Sequence, residues 1–244
     1  MGDLPEGTYA MKIPAGRANG PCNLLIDADD TLWENNIYFD RVIAQVQALI
    51  RTFNVDGSLF QRELIAAERE HIPIYGYGTA NFARSLVRTF ERLAPAADPS
   101  LIATVRELAL GIMRQPPQII DGVPETLSYL ARRHALYLVT KGNHEEQMAK
   151  IESSGLSSFF RGVEILGEKD VSSFMLLLSK HRWNASQTWM IGNSPRSDIN
   201  PALEAGMNAV FVPHPHTWVL EHEDPIHHPD LLEVKRFSDL RLYF

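Results

Sequence analysis

One cysteine, Cys22, stands among 244 residues, so no internal disulfide is available and nothing asks for an oxidising compartment. The chain also lacks any apolar run of about 18 residues, the length a helix needs to cross a bilayer, and no membrane partner is expected. Positive charge is scarce: 23 Lys and Arg stand against 30 Asp and Glu, a formal charge of −7, with no dense basic block. Since nucleic-acid backbones are gripped by clustered cations, the charge argues against a non-specific nucleic-acid surface, and no nucleic-acid partner is expected. Residues 1–20 have no apolar stretch of the secretory kind and carry Asp3, Glu6, Lys12 and Arg17, so they are expected to form a loose N-terminal arm. Glu6 also breaks the myristoylation pattern that Met1-Gly2 would open. Internal repeats and low-complexity tracts are absent. These absences leave a cytoplasmic protein whose partner is a small molecule, with homo-oligomerisation left open.

What is present is an alternation. Asn23–Ile26, Ala135–Val139, Thr188–Ile191 and Ala209–Val212 are short apolar stretches of the kind that form buried parallel strands. Helical patterns separate them over Gly122–Arg133, His144–Ser154, Val171–Lys180 and Ile199–Ala205. Strands alternating with helices predict an α/β fold, a doubly wound, Rossmann-like parallel sheet whose ligands gather at the carboxyl ends of the strands. From about Asn36 to Gln118 the rhythm changes to helical spacing alone, as in Val42, Val46, Leu49 and Ile50, and Pro116-Pro117 then closes the segment. An inserted helical domain over 36–118 is predicted, between core parts 1–35 and 119–244. Within it, His71-Ile72-Pro73-Ile74-Tyr75-Gly76-Tyr77-Gly78 reads as a loop. Tyr75 and Tyr77 there either pack between the two domains or face a substrate.

The strand ends carry the chemistry. After the first strand stand Asp27, Asp29 and Asp30; after the second, Thr140-Lys141-Gly142-Asn143; ahead of the Val171 helix, Lys169; after the third, Gly192-Asn193-Ser194 and then Asp198. Crowded carboxylates repel unless a cation neutralises them, and hard oxygen donors with room for a phosphate suit Mg²⁺. Asp27, at the strand tip, can attack phosphorus as a carboxylate nucleophile. Asp29, two residues on, can serve as general acid and base. Thr140 and Lys169 can hold the non-bridging oxygens, and Asp198 can complete the metal site.

In this order the four clusters resemble the motifs of the haloacid dehalogenase (HAD) superfamily, in its phosphatase branch. D-x-D-x-T matches Asp27-Ala28-Asp29-Asp30-Thr31, followed by Leu32; the second motif matches Thr140 in LYLVTKGN, the third Lys169 in GEKDVSSF, and the fourth IGNSPRSD. The resemblance covers most of residues 22–212 and implies that the helical insertion is a C1-type cap closing over the active site. It implies a Mg²⁺-dependent phosphatase acting on a small phosphorylated metabolite through an aspartyl-phosphate. Asp27, Asp29, Asn193 and Asp198 would hold the metal, and Thr140, Lys141, Gly142 and Lys169 would hold the phosphate, with Tyr75 and Tyr77 on the substrate side. Two positions depart from the pattern: Asn193 where the family commonly has Asp, and Asp30 where many members have Gly. Asp29 separates this chain from the dehalogenases of the superfamily, which lack an acid there because a halide leaves without a proton.

Three alternatives stand beside this reading: a sugar phosphomutase of the same superfamily, a HAD-fold binding protein whose catalysis has weakened, and a 2-haloacid dehalogenase. Arg84 and Arg88, one helical turn apart, either greet a second anionic group or lie on a solvated face. His214, His216, His222, His227 and His228, interspersed with prolines, are expected on an irregular surface loop without a zinc pattern.

Overall fold

A computed structural model of the chain describes residues 20–244. The arm expected over residues 1–20 therefore lies, Gly20 apart, outside the described residues. From strand β1 (Asn23–Ile26) the chain passes through a two-residue strand, β2 (Trp33–Glu34), into helices α1 (Asn36–Arg51), α2 (Gly57–Tyr75), α3 (Thr79–Leu93) and α4 (Pro99–Leu110). A 3-10 turn at Gly111–Arg114 leads to β3 (Gln118–Ile119), which pairs antiparallel with β2 through Trp33 and Ile119. The two strands linking core and cap thus brace each other. There follow α5 (Val123–Leu130), β4 (Ala135–Lys141), α6 (His144–Ser154), β5 (Gly162–Leu166), α7 (Val171–His181), β6 (Thr188–Gly192), α8 (Asn200–Glu204), β7 (Asn208–Phe211) and β8 (Leu231–Glu233).

Leu24, Leu25 and Ile26 have no polar neighbour to turn outward, so their strand must be covered on both faces. β1 accordingly lies inside a six-stranded parallel sheet of order β5-β4-β1-β6-β7-β8. Leu24 and Ile26 point into a core shared with Val123 and Leu127 of α5 and Ile151 of α6; Leu25 points the other way, into Phe174 and Leu177 of α7. The cap has its own core, built from Val46, Ile50, Phe60, Leu64, Leu86 and Phe90. The connection after β5 crosses back to the far side of β1, and that reversal opens a crevice at the strand ends around β1, where α/β sheets bind ligands.

Besides the two-residue strands β2 and β3, two strands of the main sheet escaped the sequence pattern. β5 opens on a glycine and places Glu164 mid-strand, where it pairs with Lys180 and His181 of α7 at 2.8 and 2.7 Å, so it never reads as an apolar run. β8 is three residues long beside a proline-rich segment. The loop expected from His71 onward is also corrected: α2 continues to Tyr75. Pro73 sits in its last turn, where a missing N–H costs a single helical bond, and only Gly76, at φ 73°, ends it.

Candidate active site

Asp27 follows β1 directly and is buried. Its Oδ2 accepts from Thr31 Oγ1 at 3.0 Å, and the same hydroxyl lies 3.2 Å from Asn193 Oδ1, just beyond β6. Its Oδ1 accepts from Lys169 Nζ, which is 2% exposed and also donates to Asp198 Oδ1 at 2.6 Å. Asp198 stands on a single π-helical turn, Pro195–Ile199, and accepts from Ser194 N at 3.0 Å. Gly192 has to be glycine here, because a Cβ would collide with the Asp198 carboxylate. One ammonium is therefore shared by two buried carboxylates. Burial, reinforced by the charge of Asp198, pushes Asp27 up to about 7 even though Lys169 opposes it.

Asp29 is held differently. Its Oδ1 accepts from Trp33 Nε1 at 2.7 Å and Lys150 Nζ at 2.6 Å; its Oδ2 accepts from Gln147 Nε2 at 2.9 Å and Lys150 at 2.7 Å. Burial alone would raise its pKa, but Lys150 and these donors outweigh that and keep it below the usual carboxylate range. Both of its oxygens are thus engaged by α6 and Trp33. Sequence reasoning missed Gln147 and Lys150. They lie three residues apart on α6, one face of the helix that Asn143 starts by accepting from Glu146 N at 3.1 Å, and that periodicity was the available signal. Gln147 also donates to Thr140 Oγ1 at 3.1 Å, which joins the second strand end to the first.

Lys141 points to carboxylates: Glu221 at 2.6 Å and Glu168 at 3.1 Å, with Ser197 Oγ at 2.8 Å and Tyr77 Oη at 3.4 Å. Burial works against its charge, but Glu221, Tyr77 and Glu168 more than reverse that and hold it above the usual lysine range. Tyr77 donates to Glu168 at 2.6 Å and lines the cleft, so the cap reaches the core through it. Gly142 lines the cleft at φ 138°. Tyr75 does not line it: the ring is half exposed and stacks under Arg84 at 3.8 Å. Arg88 donates to His71 Nε2 at 2.7 Å, so neither arginine faces the cleft. Glu146 completes the bridging by accepting from Thr79 N and Thr79 Oγ1 at 2.9 and 3.0 Å, across the N-terminus of α3.

Among the described residues, the three His, Asp or Glu donors whose ligand atoms all lie within 4.8 Å are Asp30, Glu34 and His214, a cluster capable of coordinating a divalent metal. It was not the set expected, and it draws one histidine of the tail into the structure. Asp30 is buried at φ 59°, accepts from Asn35 N and Asn36 N at 2.8 and 3.1 Å, and is pushed up to about 7 by burial. His214 Nε2 lies 3.3 Å from Glu34 Oε2, and His216 Nδ1 lies 3.1 Å from Asp40 Oδ2 of α1. These contacts tie the loop after β7 to the cap and its linker.

Asp27, Asp29, Thr140, Lys141, Lys169, Asn193 and Asp198 all line one cavity of about 670 Å³ between sheet and cap. No helix among the described residues is long and apolar enough to cross a membrane. Residues 23–206 match the family model described as haloacid dehalogenase-like hydrolase. A crystal structure of a haloacid dehalogenase-like family hydrolase from Xanthomonas campestris is 31% identical, with a TM-score of 0.80 over 91% of this chain and 90% of that one. The phosphoserine phosphatase of Thermus thermophilus is 27% identical over 91% of this chain and 97% of its own length. The fold also resembles the 2-haloacid dehalogenase of Pseudomonas syringae pv. Tomato, at 22% identity and a TM-score of 0.56, covering 91% of this chain and 97% of that one. Fold alone therefore leaves the two reactions unseparated. With the motif residues gathered at the strand ends under an inserted helical cap, and with the family model spanning most of the chain, this protein is a member of the haloacid dehalogenase-like hydrolase family.

Proposed function

We propose that the protein is a Mg²⁺-dependent phosphomonoester hydrolase acting on a small phosphorylated metabolite through an aspartyl-phosphate on Asp27. The observation that carries this reading is Asp29: an ionised, hydrogen-bonded carboxylate two residues past the nucleophile, on the rim of the same cavity. A leaving alkoxide needs a proton from a neighbouring acid, whereas a leaving halide departs without one; the attacking water must lose a proton in either reaction.

Asp27, Asn193 and Asp198 offer hard oxygen donors, and the two carboxylates share a single ammonium. The excess negative charge, together with the raised pKa of Asp27, fits a divalent cation. When bound, Mg²⁺ supplies positive charge to the phosphoryl oxygens. The protein's own groups do the rest. An Asp27 oxygen bonds to phosphorus as the bond to the leaving alcohol breaks; water then attacks the same phosphorus, freeing Asp27 and inorganic phosphate. Lys169 sits between the two carboxylates, where it can offset charge on the transferring group. In the first step Asp29 gives a proton to the leaving alcohol, which requires Lys150 to loosen its grip so that the carboxyl is protonated beforehand; the carboxylate so formed, held again by Lys150, then takes the proton of the water that attacks the phosphoaspartate.

The test is a panel of phosphomonoesters with Mg²⁺, which includes phosphoserine on the strength of the Thermus relative's name. Turnover in the wild type and its loss in Asp27→Asn, with the fold intact by circular dichroism, is the expected result. Activity that survives in Asp27→Asn refutes the assignment. Release of halide from a 2-haloacid without metal would move the protein to the dehalogenase branch.

A further inference from the structure

The cap wall of the cavity holds two acceptors with nothing to accept from. Glu68 is 8% exposed, lines the cavity on the same α2 face as Leu64, Ile65 and Ile72, and has no hydrogen bond or ion pair among the described residues. Asn81 is 7% exposed; its Nδ2 donates to Gly76 O at 2.7 Å, which fixes Oδ1 as the other end of the amide. That oxygen is buried and unpartnered. Neighbouring polar groups are already committed: Ser85 Oγ donates to Asn81 O at 3.1 Å and lies 2.8 Å from His71 Nδ1. The Glu68 carboxyl, on a nearly buried side chain and open to the cavity with no protein partner, and the orphaned buried amide oxygen of Asn81 leave two unmatched acceptors on the cap side, and both point to a donor that arrives from outside.

The sign of that donor follows from the rest of the wall. The charged residues that the cap contributes to the cavity are Asp40 and Glu68, both acids, while every lysine that lines it belongs to the core. Asp40 already faces His216. A second phosphate or a carboxylate would meet no cation on the cap side. A hydroxyl brings one donor for two acceptors. A primary ammonium brings three N–H donors and a charge that draws the carboxyl into its ionised form and pairs with it.

We propose that Glu68 and Asn81 form a subsite for a primary ammonium group carried by the substrate at the end away from its phosphoryl group. This deepens the phosphomonoesterase reading, on which it rests for what occupies the other end of the cavity. The substrate class is then an amino-bearing phosphomonoester.

The experiment titrates ω-aminoalkylphosphonates of two to six carbons, each beside the n-alkylphosphonate of equal length, into wild type, Glu68→Gln and Glu68→Leu by calorimetry. Phosphonates are not hydrolysed, so the result does not depend on turnover, and n-alkylammonium ions titrated alone read the subsite without the phosphoryl end. At one chain length the wild type is expected to bind the amino compound at least tenfold more tightly than its alkyl twin. Glu68→Gln should lose most of that preference and Glu68→Leu all of it, with alkylphosphonate affinity in Glu68→Gln unchanged. Equal affinity for the two series in the wild type, a preference that persists in Glu68→Gln, or no binding of either series or of the ammonium ions overturns the subsite. Failure of the Asp27→Asn test, with this preference present, sinks the phosphatase reading alone.

Discussion

Glu68 offers a measurement that needs no ligand. Burial without a partner pushes its carboxyl from an ordinary 4.5 up to about 8, so the folded chain holds that proton more tightly than the unfolded chain does. The stability tied to the protonated form is fully present below the unfolded value and is lost as pH rises from there toward the folded one. Each tenfold change in proton activity within that window is worth about 1.4 kcal/mol, so between pH 5 and pH 7 the wild type should lose on the order of 1–3 kcal/mol through this group. Glu68→Gln keeps the shape and removes the titration. Urea unfolding of both proteins at pH 5, 6, 7 and 8, followed by tryptophan fluorescence, should show the variant gaining on the wild type by about 1–3 kcal/mol from pH 5 to pH 7 and holding the gain above pH 8. Parallel pH profiles would mean that the carboxyl is ionised or paired in the free protein, and the argument for an orphaned acceptor would fall. The same cost in the unliganded state is what makes the residue informative: a position that weakens the empty protein has a reason to be acidic only if something occupies it.

Two further perturbations read other parts of the site. Lys150→Met removes the ion pair that keeps Asp29 below the usual carboxylate range, so the Asp29 pKa should rise and the acid limb of kcat/KM should move to higher pH; a rate loss of about tenfold to a hundredfold is expected, and an unmoved pH profile would take Asp29 out of the base role. Gly192→Ala drives a methyl group into the Asp198 carboxylate and should cost about 2 kcal/mol or more, a fall in Tm of about 4–8 °C by calorimetry, together with loss of activity.

The order of the strand ends was readable from the sequence because each is an apolar run stopped by a polar residue. Leu24–Ile26 stopped by Asp27, and Trp189–Ile191 followed by Gly192-Asn193, require burial on both faces and then exposure at one rim. In a parallel sheet that rim is common to all strands, which is why residues 27, 140, 169, 193 and 198 could be placed on one cavity before any coordinates. Helical spacing likewise marked the insertion, though α2 ran through Pro73 to Tyr75, since a proline in a last turn breaks too little to stop a helix.

Side-chain pairing was not readable. That Lys150 and Gln147 hold Asp29, that Lys141 turns to Glu221, and that His214 meets Asp30 and Glu34 are matters of which long side chains reach across gaps between elements remote in sequence. Sequence by itself determined four of the six strands of the sheet, the helical insertion and the rim where chemistry gathers, because burial and periodicity are properties of local pattern. Tertiary structure alone decided which charges are neutralised and which, like Glu68, are left waiting, because partnership depends on distance through space and not along the chain.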